Sequence, residues 1–453
     1  MAKRPELLFL VACLGALACS DDARDSGANA GQAASPAGGT GGVGVGGASG
    51  TAGEGGMSGV GGLGGGGAGG SAGTIAGASG DSGGVGAAGG DAPMPDASSD
   101  AGDELDADMP ADPGALWIAA DGRDDNLGTE AMPLQTLAAA SVRAMAGSTI
   151  MVKAGTYASS ETVGLRSNGD EANPIRIFAA PGARPVFDFS GQARGESSAR
   201  GIQISGSYWH VRGVDVINAG DNCIHISGSH NTIELVNTYG CSDTGVQITA
   251  NGSEAGDASR AAYNTVINCD SHDNYDEANA GENADGFAAK LYIGPGNVFR
   301  GCRAWNNADD GWDLFASDDV VVIEDCWAIA NGKIGPAQNN TNGDGNGFKL
   351  GGAARAGDAN MGGAEHLVSR CTSIENRACG FVRNNNTVEP SLSMCGGRGD
   401  TKGLFCSLSN DGEVSVDTTA AQAIAAEREP DGSLPPAALG AKRSAEKGFV
   451  TFP

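Results

Sequence analysis

The chain is 453 residues long and contains 76 glycines, 28 Lys+Arg and 55 Asp+Glu, which give a formal net charge of −27. This acidic balance argues against a nucleic-acid partner, since binding to phosphates needs clustered Lys and Arg. The length permits about two or three ordinary domains, but the composition is so uneven that the N-terminal quarter predicts no folded core.

The first 18 residues have the pattern of an export signal. A short basic start precedes an apolar run from Leu7 to Ala18, which is too short to span a bilayer comfortably. The small residues before Cys19 resemble the cleavage site of bacterial lipoprotein signal peptides, although Ala16 stands where Leu is usual. We expect a signal peptide over residues 1–18, lipidation of Cys19, and export to the bacterial outer membrane or cell surface. Cleavage without lipidation would make the protein secreted.

Residues 19–114 predict a flexible tether. They are dominated by Gly, Ala, Ser and Asp, and no Lys or Arg occurs from Asp25 to Gly122. Such a segment has too few large apolar side chains to offset the entropy of ordering it. It would hold a folded domain clear of a membrane surface, with membrane contact only through the lipid.

Residues 115–400 contain a repeat in which a Cys is followed five residues later by an Asn. Each copy comes after a short apolar strand, and the copies start 33, 24 and 45 residues apart. Repeats of this period indicate a solenoid, and the longer spacings indicate loops inserted at turns. Stacked coils would place the Cys side chains in one core column and let the Asn amides hydrogen-bond to one another. The four pairs are Cys269 and Asn274, Cys302 and Asn307, Cys326 and Asn331, and Cys371 and Asn376.

A second short strand recurs in the same coils, each time after a glycine. Strand side chains alternate between two faces, so aligning the glycines predicts one column in the core and one outside. The inner column is Val246, Phe287, Trp312, Phe348 and Phe381, and the outer column is Gln247, Ala288, Asp313, Lys349 and Val382.

The N-terminal part of this region has an order of elements that resembles the first coil of right-handed parallel β-helices. Apolar residues at helical spacing in residues 133–145 predict a short helix that covers the open coil. The predicted fold is therefore all-β, a right-handed parallel β-helix over residues 115–400 with a short N-terminal capping helix. We expect residues 401–453 to close the last coil.

Four carboxylates converge in this arrangement. Adjacent coils lie about 4.8 Å apart, so Asp285 and Asp310 would be neighbours, with Asp309 and Asp313 in the same coil as Asp310. The aspartates before the glycines can point to solvent, and the four carboxylates would repel each other unless a cation lies among them. Hard oxygen ligands suit Ca²⁺. Lys349 follows one coil beyond Asp313, and spacing alone leaves open a solvated network of acids and a lysine.

Four stretches within residues 283–351 resemble polysaccharide lyase family 9, the pectate lyases of β-helix fold. They are Asn283–Lys290, Asn297–Arg303, Asn306–Phe315 and Asn346–Gly351. The resemblance covers most of residues 115–440. It implies a β-elimination in which Lys349 is the base and one catalytic Ca²⁺ is held by Asp285, Asp309, Asp310 and Asp313.

The resemblance also implies an acidic polysaccharide, pectate or polygalacturonate, as the partner. Lys290, Arg303 and Arg383 are candidates for contacts with this substrate, Lys290 first among them, and each could instead be a solvated surface group. A lysine base needs its pKa brought toward the operating pH, which predicts an alkaline activity optimum. Two alternatives remain open: a lyase of the same family that acts on rhamnogalacturonan, and a non-catalytic carbohydrate-binding β-helix on the cell surface.

Overall fold

The computed structural model of the chain describes residues 114–249, 260–334, 338–352 and 363–435. The predicted signal peptide, Cys19 and nearly all of the predicted tether lie outside these residues. The described chain winds into a right-handed parallel β-helix, as predicted, with three parallel sheets of ten, nine and ten strands. None of the described helices is long and apolar enough to cross a membrane.

Successive coils contribute parallel strands to the three sheets. Sheet 1 consists of β1 (Leu116–Ile118), β2 (Thr149–Val152), β5 (Ile175–Ala179), β8 (Trp209–Arg212), β11 (Thr232–Glu234), β14 (Thr265–Ile267), β17 (Asn297–Arg300), β20 (Val321–Glu324), β25 (Leu367–Ser369) and β28 (Ser391–Ser393). Sheet 2 consists of β4 (Val163–Leu165), β7 (Ile202–Ile204), β10 (Ile224–Ile226), β13 (Val246–Thr249), β16 (Phe287–Lys290), β19 (Trp312–Asp313), β24 (Phe348–Lys349), β27 (Cys379–Val382) and β30 (Gly403–Cys406). Sheet 3 consists of β3 (Thr156–Ala158), β6 (Val186–Asp188), β9 (Asp215–Ile217), β12 (Asn237–Tyr239), β15 (Asp270–His272), β18 (Arg303–Trp305), β21 (Trp327–Ile329), β26 (Thr372–Ile374), β29 (Gly396–Arg398) and β31 (Val414–Ser415).

Three smaller elements complete the described chain. An antiparallel hairpin of β22 (Lys333–Ile334) and β23 (Gln338–Asn339) projects from the turn after β21. The helices are α1 (Leu137–Ser141) near the N terminus and α2 (Ala420–Ile424) near the C terminus.

The capping helix α1 is shorter than predicted. It begins after Thr136, whose side chain accepts a hydrogen bond from the backbone N–H of Ala139. Before it, Leu134 pairs in parallel with Ile118, which keeps the preceding residues extended. The apolar residues Val142 and Met145 are 81% and 73% exposed, so their helical spacing does not reflect a buried face. The prediction of a helix over residues 133–145 is wrong in extent.

The aromatic core of sheet 2 follows the predicted inner column. Ring centroids of Phe287 and Trp312 lie 4.9 Å apart, those of Trp312 and Phe348 4.8 Å, and those of Phe348 and Phe381 4.6 Å. Phe405 extends the stack by one more coil. Large aromatic side chains in consecutive coils therefore bury one another, and this stacking fixes the register of sheet 2.

The asparagine ladder is also confirmed. The side-chain nitrogen of Asn274 donates to the side-chain oxygen of Asn307 at 2.9 Å, and Asn307 donates to Asn331 at 3.0 Å. Asn331 donates to Asn376 at 2.9 Å, and the carboxylate of Asp400 accepts from Asn376 and terminates the ladder. Each buried amide is thus satisfied by the next coil, as buried polar groups require.

The cysteines divide into two groups. The predicted core column consists of buried free thiols and gains one further member, Cys395. Two disulfides join Cys223 to Cys241 and Cys379 to Cys406.

The C-terminal segment runs back along the outer face of sheet 3. Residues 403–415 supply β30 and β31, but α2 and the residues after it pack against Trp305, Trp327 and Ile374. Residues 436–453 lie outside the described chain.

Buried charges attach this segment to sheet 3. The Arg303 guanidinium is 3% exposed, lies 3.0 Å from the Asp270 carboxylate and donates to the backbone carbonyls of Ala423, Ile424 and Ala426. Arg428 donates to the same carboxylate at 2.6 Å. Because both guanidinium groups face it, the pKa of Asp270 is held below its usual range despite its burial.

We expect Arg303→Met to lower the free energy of unfolding by about 3–5 kcal/mol, because it leaves a buried carboxylate with less compensation. The pair of Arg300 and Glu324, whose side chains are 52% and 25% exposed, offers a matched control nearer the solvent. Arg300→Met should cost about 0–1 kcal/mol. Denaturant unfolding of both variants measures the difference, and equal costs would contradict a structural clamp.

Candidate active site

The site lies on the outer face of sheet 2, over three neighbouring strands. Ala288 of β16, Asp313 of β19 and Lys349 of β24 are directly opposite one another in the parallel register. Asp285 and Asp310 occupy the turns that precede β16 and β19, two residues before the aromatic core residue of each strand. The predicted outer column is therefore confirmed, and it places an amine one coil from a carboxylate.

Three carboxylates form a compact group. One oxygen from each of Asp285, Asp309 and Asp310 lies within 4.8 Å of the others. Asp313 lies beside this group, on the side of the lysines. These aspartates are only 0–4% exposed, so they do not reach solvent as the sequence allowed. Neighbouring coils and the turn around Asp344 cover the outer face at this point.

Hydrogen bonds from adjacent coils orient the carboxylates. Asp285 accepts from the Thr244 hydroxyl at 3.1 Å and from the backbone N–H of Asp310 at 3.1 Å. Asp310 accepts from the backbone N–H of Asn346 at 2.5 Å and from its side-chain nitrogen at 3.0 Å. Each contact joins one coil to the next, so the β-helix itself holds the cluster.

Asp309 has backbone partners instead. It accepts a hydrogen bond from the N–H of Asn283 at 3.2 Å and another from the N–H of Asp344. Its two oxygens are thereby held between the turn before β16 and the turn before β24.

Two buried lysines face the carboxylates. The Lys290 ammonium lies 3.1 Å from Asp285 and 3.3 Å from Asp313. The Lys349 ammonium lies 3.1 Å from Asp344, 3.6 Å from Asp310 and 3.7 Å from Asp313. The two ammonium groups therefore approach the cluster from β16 and β24, the strands on either side of β19.

The two lysines do not fully compensate the negative charge of the buried carboxylates. Burial, reinforced by repulsion from its neighbours, raises the pKa of Asp310 well above the ordinary value and raises that of Asp309 to about 6. Burial also raises the pKa of Asp285, although Lys290 opposes the shift. For Lys349, burial lowers the pKa, but the carboxylates outweigh it and hold the pKa well above its usual value.

The residues present fit a calcium ion. The donors are carboxylate oxygens, the ligands that Ca²⁺ prefers. One oxygen of Asp310 is buried without a hydrogen-bond partner among the described residues, and a divalent cation would satisfy it. A cation among the carboxylates would also offset their mutual repulsion, and it would thereby lower the raised pKa values of Asp285 and Asp310.

The three basic residues expected to contact substrate have different positions. Lys290 joins the cluster. Arg303 does not, because it belongs to sheet 3 and is buried against the C-terminal segment, so its assignment to substrate is corrected to a structural role. Arg383 follows β27, and its guanidinium donates to the backbone carbonyls of Asn386 and Thr387 within its own loop.

Sequence reasoning missed Asp344, Asn346 and Thr244. Asp344 lies in the loop from Asn331 to Gly345, to which no function was assigned. Its carboxylate is 54% exposed and contacts the buried Lys349 ammonium. The glycine alignment could have identified Asn346 and Thr244. Each immediately precedes an aligned glycine, as Asp285 and Asp310 do.

Comparisons with known proteins agree with this geometry. Residues 116–400 match the family described as Pel9A-like, right handed beta helix region. Pectate lyase L of Dickeya chrysanthemi is 38% identical over 277 residues, which cover 60% of this chain and 61% of the relative. Pectate lyase L of Paenibacillus polymyxa is 39% identical over 280 residues, with 60% of each protein covered. The chain thus spans about three fifths of the length of these curated relatives.

A solved structure shows the same architecture. The crystal structure of pectate lyase Pel9A superposes with a TM-score of 0.61 at 30% sequence identity, covering 74% of this chain and 90% of that one.

Proposed function

Because the chain belongs to the Pel9A-like right-handed β-helix family, we propose that it is a Ca²⁺-dependent pectate lyase that cleaves 4-linked galacturonan by β-elimination, with Lys349 as the base. The observation that carries this proposal is the register of β19 and β24, which sets Lys349 beside Asp313 and next to the carboxylate cluster. A carbohydrate-binding surface could use the carboxylates, but it would have no need of a buried lysine among them.

The reaction requires removal of a weakly acidic proton. The C5 proton of galacturonate is acidic only because a carboxylate is attached to the same carbon. When bound by Asp285, Asp309, Asp310 and Asp313, Ca²⁺ would supply a Lewis acid for that carboxylate. Lys290, which contacts Asp285 and Asp313, would add positive charge at the same place.

Lys349 is proposed to take the C5 proton as the neutral amine. The C5–H electron pair then forms a double bond between C4 and C5, and the C4–O bond breaks with its electron pair on the leaving oxygen. That oxygen gains a proton and becomes the new end of the departing chain. The remaining sugar is unsaturated, and no water is consumed.

Product masses test this balance. Elimination predicts that the masses of the two fragments sum to the mass of the oligogalacturonate substrate, whereas hydrolysis adds one water. Rhamnogalacturonan supplied in parallel tests the alternative substrate within the family. Fragments that carry an added water would contradict a lyase.

The pH dependence follows from the Lys349 environment. Burial lowers the pKa of Lys349, but Asp313, Asp310 and Asp309 outweigh this effect and hold it high. A base must be unprotonated, so the active fraction grows as pH rises toward that pKa. We expect kcat to rise into the alkaline range, and a profile that peaks at acid pH would contradict a lysine base.

We also propose that the protein is exported and carries a lipid on Cys19. The support is the sequence pattern before Cys19, which lies outside the described residues. Fatty-acid labelling of the full chain in a bacterial host tests it. Labelling that persists in Cys19→Ala would contradict this attachment site.

A further inference from the structure

The outer face of sheet 2 continues beyond the carboxylate cluster toward the N terminus, and three consecutive strands there carry polar, uncharged residues in the outer column. Gln203 of β7, His225 of β10 and Gln247 of β13 are directly opposite one another in the register. Ser227 immediately follows β10 and faces the same side, because side chains alternate along a strand. We call Gln203, His225, Ser227 and Gln247 the polar strip.

Two atoms of the polar strip are buried without partners. His225 is 2% exposed and Ser227 is 7% exposed. The Nδ1 atom of His225 and the hydroxyl of Ser227 have no hydrogen-bond partner within the described part of the chain. Buried polar atoms in native proteins are almost always satisfied by protein groups or by ordered water, so these two atoms on one face are available to a water or to a hydroxyl group from outside the chain.

The side-chain amide of Gln247 is a further hydrogen-bond donor in the polar strip. The side-chain oxygen of Gln247 accepts from the side-chain nitrogen of Asn222 at 3.3 Å. This contact fixes the amide, and its nitrogen is left without a partner among the described residues. The strip therefore offers an amide donor, a hydroxyl and an imidazole nitrogen on one surface.

The strip carries no net charge. Burial lowers the pKa of His225 to about 3, so its imidazole is neutral near neutral pH and above. The strip contains no Lys or Arg, and the neighbouring Arg200 is paired with Asp221 at 3.1 Å. Neutral donors and acceptors complement hydroxyl groups better than carboxylates.

We propose that the polar strip is a second saccharide subsite, which binds hydroxyl groups of the substrate chain a few sugar units from the point of cleavage. Three coil steps of about 4.8 Å separate β10 from β19, or about 14 Å along the helix axis. His225, which is 2% exposed, is as buried as Lys349 at 1% and Asp313 at 3%, whereas Gln203 is partly exposed. Because the strip and Lys349 lie on the same face of sheet 2, a polymer that reaches Lys349 along this face would pass over the strip.

The inference rests on the proposed function, and the two are tested separately. Calorimetry on the full chain with the Lys349→Ala substitution measures the affinity for galacturonate oligomers without turnover. We expect an octamer to bind about tenfold more tightly than a trimer, because only the octamer reaches the strip. Equal affinities would overturn the subsite and leave lyase activity unaffected. Absence of unsaturated product from the wild-type protein would instead contradict the proposed function.

Substitutions in the polar strip test whether its residues cause the tighter binding of the octamer. Ser227→Ala removes a buried hydroxyl that has no partner, so it should leave the melting temperature unchanged or raise it while reducing the octamer-to-trimer ratio. In the double variant His225→Ala, Gln247→Ala, the octamer and the trimer should bind with equal affinity. His210→Ala, on the outer face of sheet 1, is the matched control and should preserve it. A ratio that survives the strip substitutions would contradict the proposal.

Salt separates hydroxyl from carboxylate recognition. Screening weakens contacts between charged groups but leaves uncharged hydrogen bonds nearly intact. The octamer-to-trimer ratio should therefore persist at high salt, and a ratio that collapses would overturn hydroxyl recognition by the strip.

Discussion

Replacing Lys349 by alanine is expected to lower kcat on polygalacturonate by about 10²–10⁴-fold, the contribution typical of a general base. Calcium affinity should not weaken, because the substitution removes a positive charge 3.6 Å from Asp310 and 3.7 Å from Asp313. Initial rates and calorimetric calcium titration measure the two effects. Together they distinguish a lyase from a binding module, in which loss of this side chain would leave saccharide binding nearly unchanged.

Lys349→Arg sharpens this test. Arginine preserves the positive charge that faces the buried carboxylates, but its guanidinium stays protonated and cannot accept the C5 proton. It should fold like the wild type and still lose turnover. Lys402→Ala, at an exposed turn, is the matched control and should retain full activity. An arginine variant with wild-type kcat would contradict the assignment of Lys349.

Replacing Asp310 by asparagine should abolish the stabilisation that calcium confers. A ligand present at 100 times its dissociation constant stabilises the folded state by about 2.7 kcal/mol, and we expect this gain to disappear in Asp310→Asn. Without calcium, the substitution should no longer lower the stability of the folded state relative to the wild type. Burial, with repulsion from Asp309, raises the pKa of Asp310, so its charged form opposes folding as pH rises toward that pKa. The metal-free variant should therefore melt at or above the wild-type temperature near neutral pH.

Thermal unfolding with calcium and with chelator measures both the stabilisation by calcium and the relative stability of the metal-free proteins. Asp400→Asn is the control: burial raises the pKa of this carboxyl to about 6, but it lies at the end of the asparagine ladder, away from the cluster. It should retain the calcium-induced shift. A full calcium shift in Asp310→Asn would remove Asp310 from the proposed ligands.

The alignment of Asp313 with Lys349 could be predicted because strand alternation and stacked aromatic residues leave one register. Each glycine marks the start of a strand, and the large residue after it must enter the core, so Trp312 and Phe348 fix which neighbours face outward. The asparagine ladder follows from the same stacking.

Burial of the cluster could not be predicted in this way. The turn that covers it lies in the long insertion before β24, and the contacts of Asp344 with Asp309 and Lys349 are specific to its conformation. The role of Arg303 could not be predicted either, because its contacts are with residues far away in sequence. Its partner Ala423 lies 120 residues away in sequence, and no local pattern indicates that the C-terminal segment returns over sheet 3.

The most direct test of the central claim is ultraviolet absorbance during incubation of the protein with polygalacturonate at alkaline pH, once with calcium and once with chelator. The proposed chemistry predicts a steady rise with calcium, from the C4–C5 double bond of the new chain end, and no rise with chelator. A folded, calcium-loaded protein that gives no rise would contradict cleavage of polygalacturonate, and an equal rise with chelator would contradict the role of calcium.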